Sequence, residues 1–164
     1  MLKQVLSPKE IAEAVSGIAD SITMIHDPCV WIVMDAGFMF GADLLRKAKG
    51  IRSVQFIYVE RGYGTVTGPH DPRIYHMSHE PVFLTKYNHV FVDVVVEEGE
   101  TFGALLKLVP ERQLPDTTCC ALIRKGDCFG PVVFGKQVDK EPFLTGYGML
   151  PYRNLPYIAE RREK

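Results

Sequence analysis

Three short apolar runs limit the fold more than anything else in this chain: CVWIVM (29–34), HVFVDVVV (89–96) and TTCCALI (117–123). They are nearly continuous in hydrophobicity and do not alternate. Strands of that kind are buried on both faces, which a parallel sheet covered by helices provides. The segments between them fit. Gly37 to Lys49 places Phe40, Leu44 and Leu45 on one face of a helix ended by Gly50, and SVQFIYV (53–59) is a further strand. Strand, helix and strand in that order make a βαβ unit. Upstream, Ser7-Pro8-Lys9-Glu10 has the form of a helix start with a capping box, followed by Ile11, Ala14, Val15 and Ile18 on one helical face. Phe102 to Val109 reads as another helix, and Arg61 to Pro72 as a Gly- and Pro-rich loop or hairpin excursion, with Val82-Phe83-Leu84 returning from it. The expectation is one α/β domain over residues 1–164, with a mostly parallel, doubly wound sheet.

Composition narrows the partners. Nineteen basic and 20 acidic residues leave a formal charge of −1, so no electrostatic case for nucleic acid arises. No apolar run approaches the length of a membrane span, and no secretory leader pattern opens the chain. Cys29, Cys119, Cys120 and Cys128 lack zinc-site spacing and read as reduced, mostly buried thiols of a cytoplasmic protein.

In doubly wound sheets ligands bind at the carboxyl ends of the strands. Three segments should meet there: Asp35-Ala36-Gly37, the turn Glu97 to Thr101, and the loop after Ile123. The turn has the order of a phosphate cradle, with a strand end, a glycine, a hydroxyl and a helix N-terminus. Its side chains oppose an anion. Asp93, Glu97, Glu98 and Glu100 stand close together with no base among them, and like charges ~4–6 Å apart cost about 1 kcal/mol near a surface.

The segments VMDAGFMFGADLLRKAKG (33–50), RGYGTVTG (61–68), HVFVDVVVEEGET (89–101), ALIRK (121–125) and PFLTGYGMLPYRNLPYI (142–158) recur in the order and spacing of the hypoxanthine-guanine phosphoribosyltransferases, and the chain resembles that family over roughly residues 28 to 158. The resemblance implies the type I phosphoribosyltransferase fold with a small hood from the terminal segments. It implies transfer of 5-phosphoribosyl from phosphoribosyl pyrophosphate to N9 of a 6-oxopurine with Mg2+, in purine salvage, by a cytoplasmic homo-oligomer. By the same resemblance Lys125 contacts the purine O6, Phe143 stacks on the base and Leu144 lies at the base edge. Arg153 joins the loop Asp35-Ala36-Gly37 at pyrophosphate. Gly62 and Tyr63 belong to a mobile loop that closes over the site.

The phosphoribosyl end departs from the family pattern. Asp93 keeps the first acid, for ribose hydroxyls or the metal, but Val94 replaces the second. The aspartate assigned as base near N7 is Glu97. Glu98 replaces a threonine and Glu100 is a further acid, while Gly99 and Thr101 of the phosphate cradle remain. Asp35 stands where the family has a lysine, and Leu150 where a late aspartate helps hold magnesium, about three residues having been lost before Arg153. Asp35, Glu98 and Glu100 at about 1 kcal/mol each would weaken a polyanion ~100-fold. Three readings follow: a divergent 6-oxopurine phosphoribosyltransferase; a non-catalytic purine- or nucleoside-binding regulatory module with a degraded phosphate and metal site; and an altered transferase or hydrolase acting on a nucleoside-like ligand without a 5′-phosphate.

Overall fold

The computed structural model describes residues 2–60, 73–76, 86–126, 130–140 and 142–161. The chain runs β1 (Leu2–Leu6), α1 (Pro8–Thr23), β2 (Pro28–Met34), α2 (Gly37–Lys47), β3 (Ser53–Glu60), β4 (Arg73–His76), β5 (Asn88–Val96) and α3 (Glu100–Leu106). A 3-10 turn (Glu111–Asp116), β6 (Thr118–Lys125), β7 (Val132–Val138), β8 (Phe143–Thr145) and β9 (Ile158–Arg161) complete it.

The main sheet has the order β4-β3-β2-β5-β6-β7. Its pairs are parallel except β3 with the edge strand β4, which is antiparallel. The apolar runs form its centre: six of the seven residues of β2 and seven of the nine in β5 are buried, Asn88 and Val95 being half-buried. α1 and α2 cover one face, burying Ile11, Val15, Ile18, Phe40 and Leu44 against Val30, Val92 and Leu122. α3 covers the other, with Phe102 and Leu105 packed among Trp31, Phe91 and Ala121. Burying a side chain of this size stabilises the fold by about 1.5–3 kcal/mol. The capping box at the head of α1 forms as expected: the Ser7 hydroxyl accepts from the Glu10 amide, and the Glu10 carboxylate accepts from the Ser7 amide. Cys29, Cys119 and Cys120 are free and buried, and burial pushes the Cys119 and Cys120 thiols up to about 12; Cys128 lies outside the described residues. Among the described residues, no helix is long and apolar enough to cross a membrane.

The terminal segments make a second, antiparallel sheet in the order β1-β9-β8. This is the hood, and it stands beside the carboxyl ends of the main strands. Its small strands carry no run long enough to announce itself in the sequence. Several expected bounds shift. The helix expected at Phe102–Val109 is α3 at Glu100–Leu106, because Gly99 adopts φ +78° and starts the helix early. α2 stops at Lys47, three residues before Gly50. β6 extends past Ile123 to Lys125, so the loop expected after Ile123 begins later. The excursion at 61–72 and the return at 82–84 lie outside the described residues.

Candidate active site

β2 pairs with β3 on one side and with β5 on the other. Between β2 and β5 the chain therefore changes the direction in which it adds strands, and such a switch point opens a crevice at the carboxyl ends. A cleft of about 480 Å³ lies there, lined by Asp35 and Ala36 after β2, Tyr58 and Val59 of β3, Asp93 to Val95 of β5, Thr101 of α3 and the hood residues Phe143, Leu144, Gly148 to Leu150 and Arg153. A second groove of about 530 Å³ separates α1 from β7. It lies away from the strand ends that carry the charged cluster, and we assign the site to the cleft.

The loop after β2 turns through a cis Met34–Asp35 peptide and enters α2, where the Phe38 amide donates to the Asp35 carbonyl. A Cβ on Gly37 would lie 3.4 Å from the Val92 carbonyl oxygen. The loop thus sits directly against β5. Asp93 is nearly buried, and its carboxylate accepts the Val94 amide at 2.7 Å.

Register decides the next contact. Val96 of β5 faces Arg124 of β6, so Glu97 and Lys125 leave the sheet side by side. Lys125 Nζ donates to Glu97 Oε1 at 2.8 Å, with Lys125 only 8% exposed. Lys140, beyond β7, donates to Glu98 at 2.8 Å on the surface, and that bond holds the Glu98 carboxyl below its usual value. On the hood, Phe143 is 56% exposed while Leu144 is buried. The following turn is fixed by Gly148, whose φ is +92° and whose absent Cβ would lie 2.8 Å from the Ala36 carbonyl oxygen. The Tyr147 phenol donates to Asp43 of α2 at 2.6 Å, and burial together with that carboxylate pushes its ionisation up. Arg153 Nη2 donates to Asp35 Oδ2 at 3.2 Å across the cleft.

The cleft gathers Asp35, Ala36, Asp93, Thr101, Phe143, Leu144 and Arg153 from the sequence-based candidates. Gly37, Glu97, Glu98, Gly99, Glu100 and Lys125 do not line it; they sit at the adjoining strand and helix ends. Gly62 and Tyr63 lie outside the described residues. One expectation needs correcting. The acidic turn has no base among its neighbours in sequence, but folding brings Lys125 to Glu97 and Lys140 to Glu98. Arg153 pairs with Asp35. The pairings span 28, 42 and 118 residues, which is why local reading missed them.

Among the described residues no three His, Cys, Asp or Glu side chains converge as a metal cage. The cleft offers the Asp93 carboxylate, and Asp35 already engaged by Arg153. Magnesium bound by one or two carboxylates and by substrate phosphates fits such a donor set; a metal held by protein alone does not.

A parallel sheet with an antiparallel edge, a hood from the chain ends and a cleft at the switch point define the type I phosphoribosyltransferase fold. No family model matches the chain. It is 27% identical over 173 aligned positions to a hypoxanthine phosphoribosyltransferase of Buchnera aphidicola subsp. Schizaphis graminum, covering 97% of this chain and 95% of that protein. Among solved structures it matches a hypoxanthine-guanine phosphoribosyltransferase of Bacillus anthracis holding HEPES in its active site (TM-score 0.80, 24% identity, 99% and 100% of the two chains). It also matches the Trypanosoma cruzi hypoxanthine phosphoribosyltransferase in complex with its product IMP (TM-score 0.79, 20% identity, 98% and 94%). Over nearly its whole length the chain is similar in sequence to a hypoxanthine phosphoribosyltransferase and in fold to hypoxanthine-guanine phosphoribosyltransferases.

Proposed function

We propose that the protein is a 6-oxopurine phosphoribosyltransferase, forming a nucleoside monophosphate from hypoxanthine or guanine and phosphoribosyl pyrophosphate and releasing diphosphate. The observation that carries the reading is the pair of buried Lys125 and partly exposed Glu97 at the ends of β6 and β5, beside a cleft that keeps the Phe143 ring exposed. An ammonium has three donors. Lys125 can hold Glu97 with one and offer another to a purine O6. Glu97 supplies a carboxylate to take the proton that leaves the purine ring, a contribution of about 10²–10⁴-fold in rate. Phe143 gives a planar base a face to stack on, with Leu144 at the base edge.

On the sugar side, Asp93 would accept from ribose hydroxyls, while Gly99 and Thr101 would meet the 5′-phosphate with backbone and hydroxyl donors. Glu98 turns to Lys140, and Glu100 stands in the first turn of α3, where a carboxylate is favoured. Asp35-Ala36-Gly37 and Arg153 would meet the diphosphate. Magnesium, when bound with the substrate, neutralises charge on the leaving diphosphate, and Asp93 is the residue that would hold it. The reading extends to a homo-oligomer in the cytoplasm.

The pairings also bear on the non-catalytic reading. That reading drew its force from Asp35, Glu98 and Glu100 at the phosphate end, and two of these, Asp35 and Glu98, each have a cation. Base selectivity tests the proposal. Adenine presents a donor to Lys125 where hypoxanthine presents an acceptor, a mismatch of about 1–3 kcal/mol. Calorimetry should show hypoxanthine bound more tightly than adenine by about tenfold or more, and Lys125→Ala should abolish the preference. Equal binding of the two bases, insensitive to that change, would overturn the purine assignment.

A further inference from the structure

Arg153 is the one positively charged residue among the described residues that line the cleft, and it is not idle. Its guanidinium Nη2 donates to Asp35 Oδ2 at 3.2 Å, from the hood to the loop after β2. Both side chains are about half exposed, at 48% and 49%, so both open into the cleft. Each is anchored through its backbone. The Asp35 carbonyl accepts from Phe38 in the first turn of α2, and the Arg153 carbonyl accepts from Gly148, whose tight seat against Ala36 joins hood and loop. A carboxylate therefore already engages an Arg153 donor at the cleft, where an incoming anion would compete for it.

We propose that Asp35 is a specificity-determining residue, a resident anion on Arg153 that a diphosphate group must displace in order to bind. This deepens the transferase reading and rests on it for the identity of the ligand. The physical consequence is an exchange equilibrium. The Asp35–Arg153 pair is an exposed ion pair, weak enough to open, but it sets a threshold that favours highly charged ligands able to compete and disfavours simple carboxylates and monoanions. Asp35 also repels the ligand through space, and the two contributions can be separated.

The test is calorimetric titration of inorganic diphosphate with magnesium into wild type, Asp35→Asn, Arg153→Gln and the double variant. Asp35→Asn is expected to raise affinity by about tenfold, release of Arg153 adding to relief of repulsion. In the Arg153→Gln background the same change should raise it by no more than about threefold, because only repulsion remains to be relieved. No gain in Asp35→Asn, or an equal gain in both backgrounds, would overturn the proposal. Circular dichroism checks that each variant is folded, and Arg153→Met replaces Arg153→Gln if the latter is not. Diphosphate binding needs no turnover. An inactive protein showing the expected cycle would refute the transferase reading alone, and an active enzyme with a flat cycle would refute this inference alone.

Discussion

Consider breaking the Lys125–Glu97 pair from each end. The ammonium and carboxylate lie 2.8 Å apart, and the side chains are 9% and 34% exposed. At an effective dielectric of about 20 the gross attraction is about 5–6 kcal/mol. Desolvating the ammonium offsets much of it, leaving a net of roughly 1.5–3 kcal/mol, the range for hydrogen bonds to charged groups. The two single changes should differ. Lys125→Met leaves a carboxylate that water can still reach, whereas Glu97→Gln strands an ammonium that water hardly reaches and offers it only a neutral acceptor. Glu97→Gln should therefore destabilise by about 1–2 kcal/mol and Lys125→Met by less. A double-mutant cycle on urea unfolding should give a coupling of about 1–2 kcal/mol. A coupling below about 0.3 kcal/mol, within the additivity of independent sites, would refute the claim that strand register builds this pair.

Stability should also depend on pH through His89, which is buried, accepts the Trp31 indole N–H on Nδ1 and has its ionisation pushed below the ordinary 6.5 by burial. The unfolded chain then binds a proton before the native one does, so the His89 contribution is complete above pH 6.5 and is lost as pH falls below it; urea midpoints at pH 8 and 5.5 should differ, and less so in His89→Gln. Gly148→Ala places a Cβ 2.8 Å from the Ala36 carbonyl oxygen at φ +92°, and should lower stability by about 1–3 kcal/mol in chemical denaturation. Tyr147→Phe removes the phenol that donates to Asp43 at 2.6 Å; a loss of about 1–2 kcal/mol in the same assay is expected, and an unchanged midpoint would show that hood and α2 are not joined there.

The central sheet was legible because its strands are buried on both faces, and burial of that kind writes long apolar runs such as HVFVDVVV. The hood was legible only through family resemblance. Its strands β8 and β9 have only three and four residues and leave no hydrophobic signature of their own; nor does β7, the mostly exposed outer strand of the main sheet. The site divided along the same line. Its local parts, Asp93 at a strand and Gly99 at a helix start, follow from sequence order, but the charge balance does not. Read locally, Glu97, Glu98 and Asp35 look like uncompensated acids. Their cations arrive from β6, from beyond β7 and from the hood, and no periodicity connects residues that meet only when the sheet and hood close.

The most direct test is nucleotide synthesis from hypoxanthine and phosphoribosyl pyrophosphate with magnesium, comparing wild type with Glu97→Gln after both are shown to be folded. The account expects wild type to form inosine monophosphate and Glu97→Gln to turn over about 10²–10⁴-fold more slowly, with guanine accepted and adenine refused. Absence of product from wild type with hypoxanthine and guanine, or a Glu97→Gln rate equal to that of wild type, would contradict it.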